Sequence, residues 1–187
     1  ATYAEQVNVR NFINNGSSIT IMADPVLSQR PVVEPLGTST AAFLIANDSI
    51  NIVGIDIRPA TPVQYGVWAS SAYARVSTMT VEGAFNIWGA GITVSSRSEV
   101  SFSSVSAWSG DALRLSYSTM TTVSGSTMAV NKQGTYALNF IRSSSNTVVG
   151  CVVSSGTSID FFSRYNSLSA SSFTAYGVTP AISVQGS

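Results

Sequence analysis

The sequence predicts an all-β protein, a right-handed parallel β-helix with three strands per turn of about 23 residues. Two short apolar motifs recur and interleave along most of the chain. Serine and threonine are abundant while Lys and Glu, good formers of surface helices, are scarce. Charged residues are 10% of the 187. Together these features indicate stacked short strands rather than amphipathic helices.

The longer motif reads apolar, any, apolar, two spacers, apolar, any, apolar. Its copies begin at Ile50, Val76, Val100, Thr121, Asn146 and Leu168. A shorter motif of two apolar residues around one variable residue falls between them, at Val67–Ala69, Ile92–Val94, Leu113–Leu115, Leu138–Phe140, Ile159–Phe161 and Ile182–Val184. Alternation with period two indicates strands with one face in a core. Propeller blades would need about 40 residues each, which disfavours them.

The two spacer residues of the longer motif predict a corner where the chain turns without changing its inner face. Gly54, Gly125 and Gly150 occupy the second spacer position in half of the copies. Glycine suits a backbone with positive φ. Equivalent residues of successive turns are then expected to stack in columns about 4.8 Å apart.

The regular pattern covers residues 42–187, whereas residues 1–41 do not keep its register. Val7–Val9 and Ile19–Ile21 are candidate early strands, and Pro25, Pro31 and Pro35 lie in an irregular stretch. We interpret residues 1–41 as a lead-in, or as first turns with an excursion loop. The last motif copy ends at the C-terminus, so we expect a fragment of a longer chain or partner chains over the open ends.

Composition excludes several function classes. Nine acidic and nine basic residues cancel, which argues against binding to nucleic acid or to an anionic membrane. The absence of histidine excludes a Ser-His-Asp triad and a histidine-ligated zinc, and we expect no cofactor or metal. The single cysteine, Cys151, permits no intrachain disulfide. Apolar runs are far shorter than the roughly 20 residues of a membrane span.

The segments SINIVGIDIRPA, SEVSFSSVSAW and SNTVVGCVVSSG, with their serine-rich corners, resemble the β-helix of the pectate-lyase-like superfamily. They are most similar to bacteriophage tailspikes and virion-borne polysaccharide depolymerases. The resemblance implies an extracellular homotrimer on the virion tail that binds bacterial surface polysaccharide and often cleaves it with carboxylates. The chain lacks the histidine motifs of alginate epimerases and polygalacturonases, and an aspartate cluster like the calcium site of pectate lyases.

Outward residues of the short strands form the predicted substrate-binding column. It contains Trp68, Thr93, Arg114, Asn139, Asp160 and Ser183. Ring stacking and hydrogen bonds to hydroxyls are the contacts that hold sugars, which favours Trp68, Arg114, Asn139 and Asp160 as the binding set. The alternative is a solvated face. Aromatic residues before the short strands form a stacking ridge or an interface: Tyr65, Trp88, Trp108, Tyr136 and Tyr176.

Asp56 and Glu82 are the first catalytic candidates, because the motif places them at one position of consecutive turns. Two carboxylates about 5 to 5.5 Å apart suit a retaining glycosidase. The alternative is neutralisation by Arg58 and Arg75 in surface ion pairs.

Asp111 and Asp160 open successive short strands and form a second candidate pair of carboxylates. Asp111 follows Gly110, so it is equally well interpreted as a turn residue that caps its own backbone.

Three functions remain open. The first is a tailspike segment that binds a bacterial surface polysaccharide and, in its enzymatic version, acts as a glycoside hydrolase or polysaccharide lyase. The alternative is a non-catalytic structural or adhesive β-helix, such as a fibre stalk or an exported passenger domain. A complete secreted lyase or epimerase is disfavoured by the missing histidines.

Overall fold

Twenty-three short β-strands and no helix make up the regular structure of the described residues. The structure is a computed structural model and describes residues 1–11, 13–37, 39–83, 86–132, 135–160, 162–175 and 180–184. Within these residues, no helix is long and apolar enough to cross a membrane. The same residues contain no group of three or more acidic or cysteine side chains that would hold a metal ion.

The strands form three sheets. Sheet A contains β1 (Thr2–Tyr3), β4 (Val32–Val33), β7 (Asp56–Ile57), β10 (Thr80–Glu82), β13 (Ser104–Ala107), β16 (Thr127–Val130), β19 (Val152–Ser154) and β22 (Ser172–Thr174). Sheet B contains β2 (Val7–Val9), β5 (Ala41–Ile45), β8 (Val63–Ala69), β11 (Ile87–Val94), β14 (Asp111–Ser116), β17 (Leu138–Ile141), β20 (Thr157–Ile159) and β23 (Ile182–Val184). Sheet C contains β3 (Ile19–Met22), β6 (Ile50–Val53), β9 (Arg75–Ser77), β12 (Glu99–Ser101), β15 (Thr122–Ser124), β18 (Thr147–Val149) and β21 (Ser167–Ser169).

Each turn of the chain contributes one strand to each sheet, and neighbouring turns pair in parallel with about 24 residues between equivalent positions. This is the right-handed parallel β-helix that the motifs predict, with the handedness that parallel crossovers strongly prefer. Residues 1–41 contribute strands to the same sheets, because β2 pairs with β5 and β3 pairs with β6. Two residues of the predicted pattern lie outside the described residues. They are Phe161, the last residue of a short motif, and Tyr176, one of the aromatic residues before the short strands.

The core consists of apolar columns inside the solenoid. Sheet C contributes Ile52, Val76, Val100, Val123 and Val148, all buried and paired in register. Burial of each such side chain stabilises the fold by about 1.5–3 kcal/mol. The inward positions that the motif predicts are buried for Ile55, Val81, Val105 and Cys151, and Phe173 packs partly buried against the core.

The corner between sheets C and A places one residue with positive φ in each turn from β6 onward, and Thr78 adopts this conformation at 52° as well as the residues described next. Gly54, Gly125 and Gly150 have φ values of 70°, 54° and 63°, which confirms the prediction for these glycines. Where the sequence lacks glycine, Phe102 and Ala170 adopt the same conformation at 49° and 47°. This left-handed conformation costs an L-residue roughly 1–2 kcal/mol, so glycine is the less strained choice.

Serines just after this corner point inward and form a ladder between turns. Ser103 Oγ accepts the amide of Met79 at 3.2 Å, and Ser126 Oγ accepts the amide of Ser103 at 3.1 Å. Cys151 takes the same position one turn later, and its amide donates to Ser171 Oγ at 3.0 Å. The ladder satisfies buried amides that the sheets leave unpaired, so these serines are structural.

A second ladder follows the corner between sheets B and C. The amide of Thr121 donates to Asn146 Oδ1 at 2.9 Å, and the amide of Asn146 donates to Asn166 Oδ1 at 3.0 Å. Asn146 Nδ2 also donates to the carbonyl of Ser118 at 3.1 Å. This buried amide therefore ties three successive turns together.

Candidate functional site

A groove of about 360 Å³ lies on the outer face of sheet B. Trp68, Thr93, Arg114 and Asn139 are in register on β8, β11, β14 and β17, as the binding column predicts. The side chains that line the groove include Tyr65, Trp68, Thr93, Arg114, Ser116 and Tyr117. We call this depression the Trp68 groove. It runs across three turns of the solenoid.

Two aromatic rings form one wall of the Trp68 groove. The ring centroids of Tyr65 and Trp68 lie 5.2 Å apart with planes inclined by 34°. Gln64 Nε2 donates to the Tyr65 hydroxyl at 3.1 Å, which fixes that ring further. At the other side, the exposed Tyr117 ring stacks against the guanidinium of Arg142 at 5.6 Å. The groove therefore offers flat apolar faces that are already oriented.

A buried carboxylate organises the polar side of the groove. Asp111 Oδ2 accepts hydrogen bonds from Arg114 Nε at 2.8 Å and from Asn139 Nδ2 at 2.9 Å. Asp111 Oδ1 accepts the amide of Tyr136 at 3.3 Å, and Arg114 Nη2 donates to the carbonyl of Gly89 at 2.9 Å. Arg114 and Asn139 are thus held in place by Asp111, whose charge balances the guanidinium locally.

Thr93 lies between Trp68 and Arg114 in the column and is largely buried. Its hydroxyl has no hydrogen-bond partner among the described residues. Most buried polar groups are paired, and an unpaired one costs about 1–3 kcal/mol. The Thr93 hydroxyl is therefore a buried, unpaired polar group in the lining of the groove.

Asp160 is not part of the column, which corrects the sequence-based register. Ser158 occupies the position beside Asn139, because Thr157 and Ile159 are the inward residues of β20. Asp160 lies after the strand, where its carboxylate accepts the amide of Arg142 at 2.9 Å and the hydroxyl of Ser163 at 2.6 Å. It therefore holds a turn instead of extending the groove.

Asp56 and Glu82 do not occupy one column either. Asp56 pairs with Thr80, and Ile57 pairs with Val81. The same register places Glu82 beside Arg58, on the adjacent turn. A slip of two residues leaves every side chain on its predicted face, because the side-chain period in a strand is two. The alternation in the sequence therefore predicts correctly which face of the strand Asp56 and Glu82 occupy, but it predicts the wrong neighbour for each on the adjacent strand.

Arg58 lies between the two carboxylates. Its Nε is 2.9 Å from Glu82 Oε2, and its Nη2 is 3.7 Å from Asp56 Oδ2. Arg30 Nη1 is a further 3.5 Å from Asp56 Oδ1. This is the ion-pair arrangement anticipated for Arg58, while Arg75 pairs with Glu99 at 3.7 Å instead. The pair lies on sheet A, on a different face from the Trp68 groove.

Two features of the groove are not apparent from the sequence. Asp111 is a buried hydrogen-bond partner of Arg114 and Asn139, a contact that neither sequence-based interpretation of Asp111 includes. Its position directly after Gly110 indicates a strand start but gives no sign of its partners. The unpaired Thr93 hydroxyl depends on the packing of its neighbours, which no local pattern encodes.

Comparisons of the chain with family models, with curated proteins and with solved structures gave no match. The side chains that line the Trp68 groove, and the ligands that such side chains bind, are therefore the basis for inferring a function.

Proposed function

We propose that the chain binds a bacterial surface polysaccharide in the Trp68 groove, as a segment of a tailspike-type β-helix. The observation that carries the proposal is the aromatic pair of Tyr65 and Trp68 in the same groove as Arg114, which Asp111 holds in place. Asn139 follows Arg114 in the column and is held by the same carboxylate. Sugar rings present apolar faces to aromatic rings and hydroxyls to amides and guanidinium groups. The groove supplies both kinds of contact on one face.

The dimensions and charge of the groove favour a neutral segment of glycan. Its volume of about 360 Å³ lies at the lower end of the range for small-molecule sites. Arg114 is paired with Asp111, so the groove offers hydrogen-bond donors without a free charge. Its position on a side of the solenoid leaves room for a polymer to continue along the neighbouring turns.

Binding without cleavage by Asp56 and Glu82 is the form of the proposal that the contacts favour. Both carboxylates face Arg58, and neither lines the Trp68 groove. Glu82→Gln tests this directly, because it keeps the shape and removes the charge. We expect the polysaccharide to bind equally to this variant, and reducing-end assays to show no product from either protein. Product formation that the variant loses would establish hydrolysis at this pair.

The proposed setting is an extracellular homotrimer on a virion tail. Large apolar side chains on the surface support an interface, since Trp88 is 56% and Phe102 is 69% exposed. Sedimentation equilibrium at micromolar concentration tests this part. A monodisperse monomer would contradict the proposed trimer but would not contradict glycan binding in the Trp68 groove.

The glycan-binding experiment compares Trp68→Ala with Trp88→Ala on an array of bacterial surface polysaccharides. Trp88 is an exposed tryptophan that does not line the groove, so its variant is the matched control. Loss of one stacking ring should weaken binding at least about tenfold, which corresponds to about 1.4 kcal/mol. Equal affinities for both variants would refute the groove. Absence of binding to any polysaccharide would favour the structural or adhesive β-helix.

A further inference from the structure

A second depression lies where the chain passes from sheet B to sheet C, on side chains that the Trp68 groove does not use. It has a volume of about 280 Å³ and a mainly polar lining. Ser49, Asn51, Tyr73, Arg75 and Arg97 contribute to that lining. We call it the corner site. It concentrates two arginines in a chain that has few charged residues.

Arg97 is held in place at the corner site. Its guanidinium carbon lies 5.7 Å from the centroid of the Tyr73 ring, and its Nη1 donates to the Tyr73 hydroxyl at 2.7 Å. Tyr73 and Arg97 have φ values of 60° and 55°. This turn conformation would suit glycine or asparagine better, yet the sequence places a ring and a guanidinium there in successive turns. A guanidinium fixed in this way loses little entropy when it binds an anion.

Arg75 contributes a second guanidinium that is weakly engaged. Its side chain is 68% exposed, and its one ion pair, to Glu99, spans 3.7 Å. Among the described residues, the terminal nitrogens of Arg75 have no hydrogen-bond partner in the structure. The carboxylate of Asp48, near the site in sequence, is engaged by the amide of Ala72 at 2.8 Å. Glu99 therefore approaches only the Nε atom of Arg75, and among the described residues the other guanidinium donors of Arg75 and Arg97 are not paired with an acid.

A shallow extension continues the corner site along the outer face of sheet C. It has a volume of about 270 Å³ and shares Asn51 and Arg75 with the corner site. Thr20, Ser77 and Ser101 add hydroxyls to its lining. Glu99 also lines the extension, with its carboxylate 3.7 Å from Arg75 Nε. The amide and the hydroxyls match the hydroxylated part of a sugar whose negative charge lies at the two guanidinium groups of the corner site.

We propose that the corner site binds the carboxylate of an acidic sugar, such as a uronic acid within a glycan, between Arg75 and Arg97. A carboxylate is planar and matches the fork of a guanidinium, which favours it over a purely hydroxylated ligand. The inference goes beyond the proposed function, because it uses none of the side chains of the Trp68 groove. Asn51 and the hydroxyls of the extension would then contact the rest of the sugar.

The test is calorimetric titration of the whole chain with tetragalacturonate, using its fully methyl-esterified form as the neutral probe. We expect tetragalacturonate to bind at low salt and to lose affinity several-fold as ionic strength rises, because exposed charges are screened. The ester should bind at least about fivefold more weakly, since it cannot form charge-assisted hydrogen bonds.

Variants separate this site from the Trp68 groove. Arg97→Gln and Arg75→Gln should each weaken tetragalacturonate binding about fivefold to tenfold. Arg164→Gln is the matched control, because it removes an exposed arginine that lines neither the Trp68 groove nor the corner site and changes the net charge equally. Trp68→Ala should leave tetragalacturonate binding unchanged, whatever it does to other glycans. No binding of tetragalacturonate, equal binding of the ester, or wild-type affinity in both corner variants would each overturn the proposal.

Discussion

Asp111→Asn is the sharpest test of how the Trp68 groove is held together. The wild-type carboxylate only accepts hydrogen bonds, from Arg114, Asn139 and the amide of Tyr136. An asparagine has the same shape but brings an NH₂ group in place of one oxygen. In either orientation of the amide, a donor faces another donor. The substitution also leaves the guanidinium of Arg114 without its counter-charge.

The magnitude follows from the burial of the pair. The side chain of Asp111 is 6% exposed and that of Arg114 is 25% exposed, so solvent screens the ion pair only in part. A hydrogen bond to a charged group contributes about 1.5–3 kcal/mol, and breaking a fully buried pair costs about 3–5 kcal/mol. Asparagine retains part of the bonding, so we expect a loss of about 2–3 kcal/mol.

Urea denaturation followed by tryptophan fluorescence measures the loss, with Asp48→Asn as the control. Asp48 is an exposed carboxylate that accepts the amide of Ala72, and the side-chain oxygen of asparagine can accept the same hydrogen bond. We expect the control to change stability by less than about 0.5 kcal/mol. With a slope of about 2 kcal/mol per molar urea, Asp111→Asn should lower the midpoint by about 1 M. Equal midpoints for the two variants would show that Asp111 does not organise the groove.

Three further predictions concern the solenoid. Burial raises the pKa of the Cys151 thiol above its ordinary 9.0, despite backbone hydrogen bonds that lower it. The unfolded chain therefore loses the thiol proton first, and the free energy of unfolding should fall as the pH rises above about 9. Cys151→Ser should abolish this pH dependence in urea melts at alkaline pH. Gly66→Ala should lower the free energy of unfolding in thermal melts by about 1–3 kcal/mol, because its Cβ would lie 2.5 Å from the backbone oxygen of Gly91. Gly150→Ala should lower it by about 1–2 kcal/mol, because the residue has a positive φ. Asn146→Ala should lower the free energy of unfolding by about 2–3 kcal/mol in chemical denaturation, since it removes the acceptor of the buried Thr121 amide and the hydrogen bond to the Ser118 carbonyl, and an unchanged midpoint would disprove the ladder's role.

The fold was predictable because one face of each strand in the central turns is buried. Alternation in Val76, Val100 and Val123 reports an inner face in every turn, and repetition of that pattern reports stacking. The corner glycines add a second signal, since Gly54 and Gly125 lie where the backbone needs positive φ. These signals are local and repeated, so errors at one turn do not change the architecture.

The candidate site was less predictable because neighbours in a column depend on register to the residue. Trp68, Arg114 and Asn139 were placed correctly, because the apolar residues that flank them in the short motifs are the ones that pair in register on sheet B. Asp56 and Asp160 were misplaced, since a shift of two residues preserves the apolar pattern and changes which side chains touch. The number of residues in a corner differs between turns, and the apolar pattern does not show where the extra residues lie.

The serine richness of the chain has a physical origin that narrows the search for function. Serine at inward corner positions, such as Ser103 and Ser126, replaces the hydrogen bonds that a turning backbone cannot make within a sheet. Hydroxyls at these inward corner positions are therefore a requirement of the solenoid and carry no information about a ligand. The informative positions are outward ones at which the sequence departs from small polar residues. Trp68 and Arg114 on sheet B and Arg97 at the adjoining corner are such departures, and all three have side-chain contacts that fix their orientation.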